Sequence, residues 1–265
     1  MLTEYLRGLL PRPSTVDVPD TVLEATARVD PDHLTRYARV CGATLSGPLP
    51  PAYPHVLAGG TALRLMADRS FPFRLPGLVH VRQRITVRRP VGVTEPLTVR
   101  VHAERLVPHR RGATVDLVTD VLVGAEEVWQ GRSTYLRRGA TVPGAAVDEE
   151  PPEPVPATAY VVVPNGIGRR YGAVSGDRNP IHLSAATARP FGYRTAIAHG
   201  MWSAARCLAA LGGRLPDAYT VEVRFVRPVR VPGRAGFGAR FDGTGGVFAL
   251  SAPTDDRVLV AGSWA

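Results

Sequence analysis

Three stretches of this chain occur twice, in the same order and at nearly one spacing, and no other feature restricts its fold as much. Tyr37 to Gly42 (YARVCG) lines up with Tyr171 to Gly176 (YGAVSG), and Ala58-Gly59-Gly60 lines up with Ala198-His199-Gly200. Ile85 to Val91 (ITVRRPV) lines up with Val223 to Val229 (VRFVRPV), and the three offsets are 134, 140 and 138 residues. Agreement in both order and offset points to a duplicated unit. Each copy runs from helical segments into strands, so the unit reads as one helix wrapped by an antiparallel sheet.

In the first copy, residues 1–30 read as a short amphipathic start followed by the strand-like TVLEATARV. Helical spacing then covers Pro31 to Gly42 and, more apolar, His55 to Met66. Leu78 to Val91, Leu97 to Val107 and Thr114 to Tyr135 are rich in Val, Thr and Leu with stretches of alternation, and read as strands. Residues 139–158, GATVPGAAVDEEPPEPVPAT, lack any core-forming pattern, and their prolines predict an extended linker. Beyond it come helices at Gly166 to Gly176 and Gly200 to Leu211, with strands at Tyr219 to Val231, Arg234 to Asp242, Val247 to Ser251 and Arg257 to Trp264. The expected division is therefore a unit over 1–138, the linker over 139–158 and a second unit over 159–265.

Composition narrows the functional classes. The net charge of +9 and pI near 10.3 suggest an anionic partner, but all 32 Lys and Arg residues are Arg, as GC-rich coding would produce. No basic run is interleaved with aromatics, so a nucleic-acid partner is not expected; scattered Arg would suit a phosphate-bearing carrier such as coenzyme A. Cys41 and Cys207 stand alone without a CxxC, and read as buried thiols rather than a disulfide framework. The opening MLTEYLRGLLPRP lacks the apolar core and cleavage site of a signal peptide, and no apolar run reaches the roughly 18 to 20 residues of a membrane helix. A cytoplasmic protein is the expectation.

Chemistry concentrates in the second copy. Ser175-Gly176-Asp177-Arg178-Asn179-Pro180 is turn chemistry, and a sharp bend there can aim Asp177 and His182 at one point. Where the second copy has this pair, the first has Ala43-Thr44-Leu45-Ser46-Gly47, with neither acid nor histidine. Gly200 opens an apolar helix whose first N–H groups are unpaired and lie at the positive end of the dipole. Gly-Asp-x-Asn-Pro alone is an ordinary surface turn. It becomes a candidate site because Ile-His follows it and His199-Gly200 stands at a helix start. Asp177, His182 and His199 show no metal-ligand spacing such as HxH or HExxH, so no metal is expected. His33, His55, His80, His102 and His109 are scattered and read as incidental, and Gly59-Gly60 as a relic that packs close to neighbouring backbone. Arg169, Arg170, Arg194, Arg224 and Arg227 are candidates for carrier phosphates, though each alone reads as a solvated charge.

The run Ser-Gly-Asp-Arg-Asn-Pro-Ile-His ending at His182 resembles the (R)-specific enoyl-CoA hydratase signature of the MaoC-like dehydratase family, and Ala198-His199-Gly200-Met201 resembles its next landmark. The likeness is strong over about residues 160–230 and weaker, though consistent in order, over the first copy. The whole is similar to the double hot dog members, including actinobacterial 3-hydroxyacyl-thioester dehydratases, whose first copy has lost its catalytic pair. The resemblance implies an α+β fold of two fused hot dog units, each a central helix wrapped by an antiparallel sheet. It also implies that Asp177, His182 and Gly200 are catalytic, with Ser175, Asn179, His199 and Met201 as substrate neighbours. The activity implied is reversible hydration of a trans-2-enoyl thioester to a (3R)-3-hydroxyacyl thioester on coenzyme A or acyl carrier protein, without another cofactor. A thioesterase or a silent acyl-binding subunit of the same fold are the rivals. A degenerate first copy leaves room for a medium or long acyl chain, and exposed sheet edges or helix faces make a homodimer the expected assembly.

Overall fold

The computed structural model describes residues 17–146 and 150–265. The expected amphipathic start lies outside them up to Val16. The first copy runs β1 (Leu23–Ala27), α1 (Pro31–Cys41), α2 (Tyr53–Ala67), β2 (Leu78–Val87), β3 (Leu97–His109), β4 (Gly112–Val123) and β5 (Glu126–Arg138). The second runs β6 (Ala159–Val163), α3 (Ile167–Ser175), α4 (Ala185–Ala188), α5 (Gly200–Leu211), β7 (Tyr219–Phe225), β8 (Gly233–Asp242), β9 (Gly245–Ser251) and β10 (Val258–Trp264). The ten strands of the described residues form one antiparallel sheet in the order β1-β3-β4-β5-β2-β7-β10-β9-β8-β6.

That order reads the same from either end once each strand is replaced by its counterpart, so the duplication is also a pseudo-two-fold axis. Its position follows from the register. Arg84 pairs with Glu222, 138 residues later, while Ile85 pairs with Val221 and Gln83 with Val223. The pair separated by the repeat offset is related to itself, so the axis passes between β2 and β7 at Arg84 and Glu222. The helical match behaves alike: α1 and α3 both end at left-handed glycines, Gly42 (φ 66°) and Gly176 (φ 77°). A residue with a Cβ is disfavoured in that conformation.

Several element ends differ from the sequence expectation. Thr114 to Tyr135 is two strands that turn at Gly124 (φ 60°), not one. The runs expected to reach Val91 and Val231 stop at Val87 and Phe225, and three residues beyond each stands a proline, Pro90 or Pro228, with no N–H to continue a ladder. Strand β6, at the end of the Pro-rich segment, is an addition to the expected elements; it is the counterpart of β1 and closes the far edge against β8. No regular element is present among the described residues between Arg138 and Ala159.

The first copy's α1 is fastened to the second. Trp202 of α5 donates its indole N–H to the Val40 carbonyl at 2.9 Å, and Arg206 donates to the Cys41 carbonyl at 3.1 Å. His33 spans the two copies as well: its Nε2 donates to the Val174 carbonyl and its Nδ1 accepts from the Tyr53 hydroxyl, each at 2.8 Å. His33 is therefore a structural link and not incidental. Tyr37 and Tyr171, equivalent in the repeat, are both buried with ring centroids 6.5 Å apart. Cys41 and Cys207 are buried free thiols, and burial pushes Cys41 up to about 12, where it is inert. Among the described residues no helix is long and apolar enough to cross a membrane.

Candidate active site

The loop leaving α3 is built from its own side chains. Asp177 N–H donates to Ser175 Oγ (3.2 Å), Asn179 N–H to Asp177 Oδ1 (3.0 Å) and Ile181 N–H to Asn179 Oδ1 (3.4 Å). These are the Asx- and Ser-turn bonds that such residues offer the backbone. Pro180–His182 then forms one 3₁₀ turn that swings His182 inward, where the residue is 8% exposed. Opposite, Ala196 to Ala198 is clamped on both sides: Ile197 N–H bonds the Ile181 carbonyl, Ala198 N–H bonds Val229, and Val231 N–H bonds Ala196. That clamp delivers His199 and Gly200 to the start of α5.

One atom of each of Asp177, His182 and His199 lies within 4.8 Å of the others. His182 Nδ1 sits 2.8 Å from the Ile197 carbonyl oxygen. A carbonyl only accepts, so Nδ1 carries the proton and Nε2 keeps its lone pair. His199 is stacked on His182 with centroids 3.7 Å apart, and its Nε2 donates to the Asp177 main-chain carbonyl at 3.0 Å. His199 Nε2 lies 3.8 Å from the Asp177 carboxylate. Spatially, the fold brings together three groups of metal-ligand type that sequence spacing kept apart. Two of their four ring nitrogens are already held by main-chain carbonyls.

The Asp177 side chain retains 54% of its accessible surface, and it lines a cavity of about 280 Å³. Burial opposes its charged form, but His199, His182, the Asn179 N–H and His55 together outweigh that and hold the carboxyl below its ordinary range. All four imidazoles on the cavity wall are held below the usual histidine value, first by burial. His55 is lowered to about 4 and His80 to about 3. His199 falls to about 4, with His182 as second cause, and His182 itself is lowered despite the pull of Asp177. Near pH 7 the site thus holds neutral imidazoles beside an ionised carboxylate.

Unfolded, these histidines take up protons below about pH 6.5, and the folded protein resists doing so. Stability therefore falls as pH drops from about 6.5 towards about 4, and Asp177 extends the loss in the same direction at lower pH. A melting temperature that declines steadily across that window is the expected result of scanning calorimetry, and a flat profile would contradict the burial of these rings.

Ser175, Asp177, Asn179, His182, His199, Gly200 and Met201 all line the one cavity. A Cβ on Gly200 would meet the Phe225 ring at 3.0 Å, so it is the facing aromatic that confines this position. Gly59 of the first copy packs near the Ser175 carbonyl, which a Cβ would meet at 3.3 Å. Of the five arginines weighed for carrier phosphates, only Arg227 reaches the wall, where Arg111, Arg138 and Arg178 join it. His55 and His80 read as incidental in the sequence and are not: both line the cavity, with Tyr135 and Phe225 around His80. No local motif marks them, because the first copy contributes them from α2 and β2 through the fold.

Residues 140–252 match the MaoC like domain family. The 3-hydroxyacyl-thioester dehydratase X of Mycobacterium tuberculosis is 40% identical over 235 residues, which cover 86% of this chain and 84% of that protein. A crystal structure of HtdX from the same organism superposes with a TM-score of 0.82 at 34% identity, covering 92% of this chain and 99% of the other. A second M. tuberculosis structure, described as a double hot dog fold, superposes with a TM-score of 0.53 at 14% identity over 92% and 94% of the two chains, a likeness of fold alone. With the palindromic strand order and the Asp-His pair set against a helix start, these likenesses place the chain in the MaoC-like dehydratase family, with a double hot dog fold.

Proposed function

We propose that the protein is a hydro-lyase that interconverts trans-2-enoyl and (3R)-3-hydroxyacyl thioesters, with Asp177, His182 and the Gly200 amide as its catalytic groups. The observation that carries this reading is the fixed tautomer of His182. Its Nε2 lone pair and the ionised Asp177 carboxylate are both acceptors, so one water held between them donates a hydrogen to each. As the water oxygen bonds to C3, the pair takes one of its protons and the C2=C3 electrons move towards the thioester oxygen. A proton returned from the pair to C2 completes the addition, and dehydration is the reverse. Stabilising the enolate oxygen falls to the unpaired amide at the start of α5, a type of contribution worth about 3 to 4 kcal/mol.

Ser175 and Asn179 shape the loop, His199 braces the Asp177 main chain, and Met201 borders the acyl group. The stereochemistry is that of the resembled family. Apolar Leu63, Met66 and Leu75 on the first-copy wall support a medium or long chain, and the four arginines suit a phosphate-bearing carrier, coenzyme A or acyl carrier protein. No further cofactor enters this scheme. The same reading divides the chain into units over 1–138 and 159–265 joined by 139–158, only the second catalytic, and assigns it to the cytoplasm. Exposed Tyr160 and Val162 on the edge strand β6 are the feature in favour of a homodimer.

The test is ultraviolet loss of the conjugated enoyl thioester, with crotonyl-CoA and a longer enoyl-CoA as substrates and free thiol followed in parallel. Enoyl absorbance falls without thiol release if the proposal holds. Thiol release without hydration would make the protein a thioesterase and end it.

A further inference from the structure

The part of the cavity wall supplied by the first copy carries polar groups that the proposed hydration chemistry does not use. A wall meant only for hydrocarbon should be apolar, since polar groups in such sites fix orientation and specificity. Here α2 presents His55 beside Leu63 and Met66, while β2 and β5 present His80 and Tyr135. These rings form one block: His80 stacks on Tyr135 at 4.7 Å and on His55 at 6.1 Å, and Phe225 meets His80 edge-on at 5.0 Å. Phe225 is also the ring against which Gly200 is packed, so the block adjoins the reacting centre.

Within the block His55 and Tyr135 both border the cavity, and Tyr135 has Ser133 as a hydrogen-bonding neighbour, which leaves His55 to a ligand. His80 Nε2 is sealed in protein without a hydrogen-bond partner. His55 is partly exposed where it lines the cavity, and what acts on its titration is its surroundings and the charge of Asp177, with no hydrogen bond contributing. As a neutral imidazole it offers one donor and one acceptor to whatever fills the cavity. A hydrocarbon tail leaves both unmet after expelling water, which costs binding; an oxygen on the tail meets one of them.

Resting on the hydratase reading above, we propose that His55 makes this site selective for thioesters whose acyl chain carries a hydrogen-bonding oxygen beyond the reacting carbons. His55 is then a specificity-determining residue supplied by the copy that lacks the catalytic pair.

The test compares trans-2-decenoyl-CoA with a series in which one methylene, separated from the double bond by at least two others, is replaced by an ether oxygen. Chain length and alkene reactivity stay constant across the series. At least one ether position should exceed the hydrocarbon in kcat/KM by about tenfold or more. His55→Leu should reverse that ratio by raising kcat/KM for decenoyl-CoA and lowering it for the favoured ether. His55→Gln, which keeps a donor and an acceptor, should restore a preference for the ether and covers the case in which the leucine variant does not fold. Hydration of decenoyl-CoA with no ether preferred, or a preference unaltered in both variants, overturns the inference while leaving the hydratase reading standing. Failure to hydrate any member of the series overturns both.

Discussion

Asp177→Asn leaves a folded protein whose kcat for enoyl-thioester hydration is lower by about 10² to 10⁴ fold. The substitution is close to isosteric, and asparagine's carbonyl oxygen can still accept the Asn179 N–H that Oδ1 now takes at 3.0 Å. The main-chain carbonyl that receives His199 Nε2 is untouched. The loop is therefore preserved, and the melting temperature should move by less than about 4 °C. What disappears is the negative charge and one water-accepting oxygen, because an amide nitrogen donates where a carboxylate accepted. A water between that substituted amide and His182 no longer has two acceptors to orient it. His182→Gln should lose a comparable factor, and the double variant little more than either, since groups that hold one water act as a unit. Retention of more than about a tenth of wild-type kcat in Asp177→Asn would remove the carboxylate from the mechanism.

How much of this is readable from sequence depends on whether a signal is local or spatial. The loop from Ser175 to His182 is legible because turn chemistry is local: Ser, Asp and Asn bond their own backbone, and those three bonds are all present. The start of α5 at Gly200 is legible from apolar spacing. The strand β6 is hard to read since it is short and follows a Pro-rich run, yet β1 predicts it if the duplication is applied strictly: each copy opens with a strand at its outer edge. His55 and His80 cannot be found by pattern, since they reach the site only when α2 and β2 of the first copy pack against the second. The same holds for the Ile197 carbonyl that sets the His182 tautomer. A backbone acceptor has no sequence signature. Gly168 falls in the same class, for nothing in IGRRYG says which glycine is spatially confined.

Gly168→Ala is expected to cut kcat/KM by about a hundredfold or more and to destabilise the protein by about 1 to 3 kcal/mol. Helix propensity alone argues the other way, as alanine is favoured over glycine by about 1 kcal/mol in a helix interior. Sterics decide the sign. A Cβ on Gly168 would sit 1.8 Å from the His182 carbonyl oxygen and 2.7 Å from its carbon. These are backbone atoms that no rotamer change can move aside. Either α3 retreats or the 3₁₀ turn carrying His182 does, by roughly an ångström or more, and the 2.8 Å bond from His182 Nδ1 to Ile197 stretches with it. Misplacement on that scale is what a near-attack geometry does not tolerate. Gly60→Ala supplies the contrast, because Gly60 lies within α2 with nothing inside 4 Å of its would-be Cβ. The same added methyl should there raise stability by about 0.5 to 1 kcal/mol. Thermal melts of both variants, with kcat/KM measured well below either midpoint, separate lost positioning from lost folding. Wild-type turnover in Gly168→Ala would mean that the His182 main chain is not what places the water-binding nitrogen, and the fixed-tautomer argument for the site would fall with it.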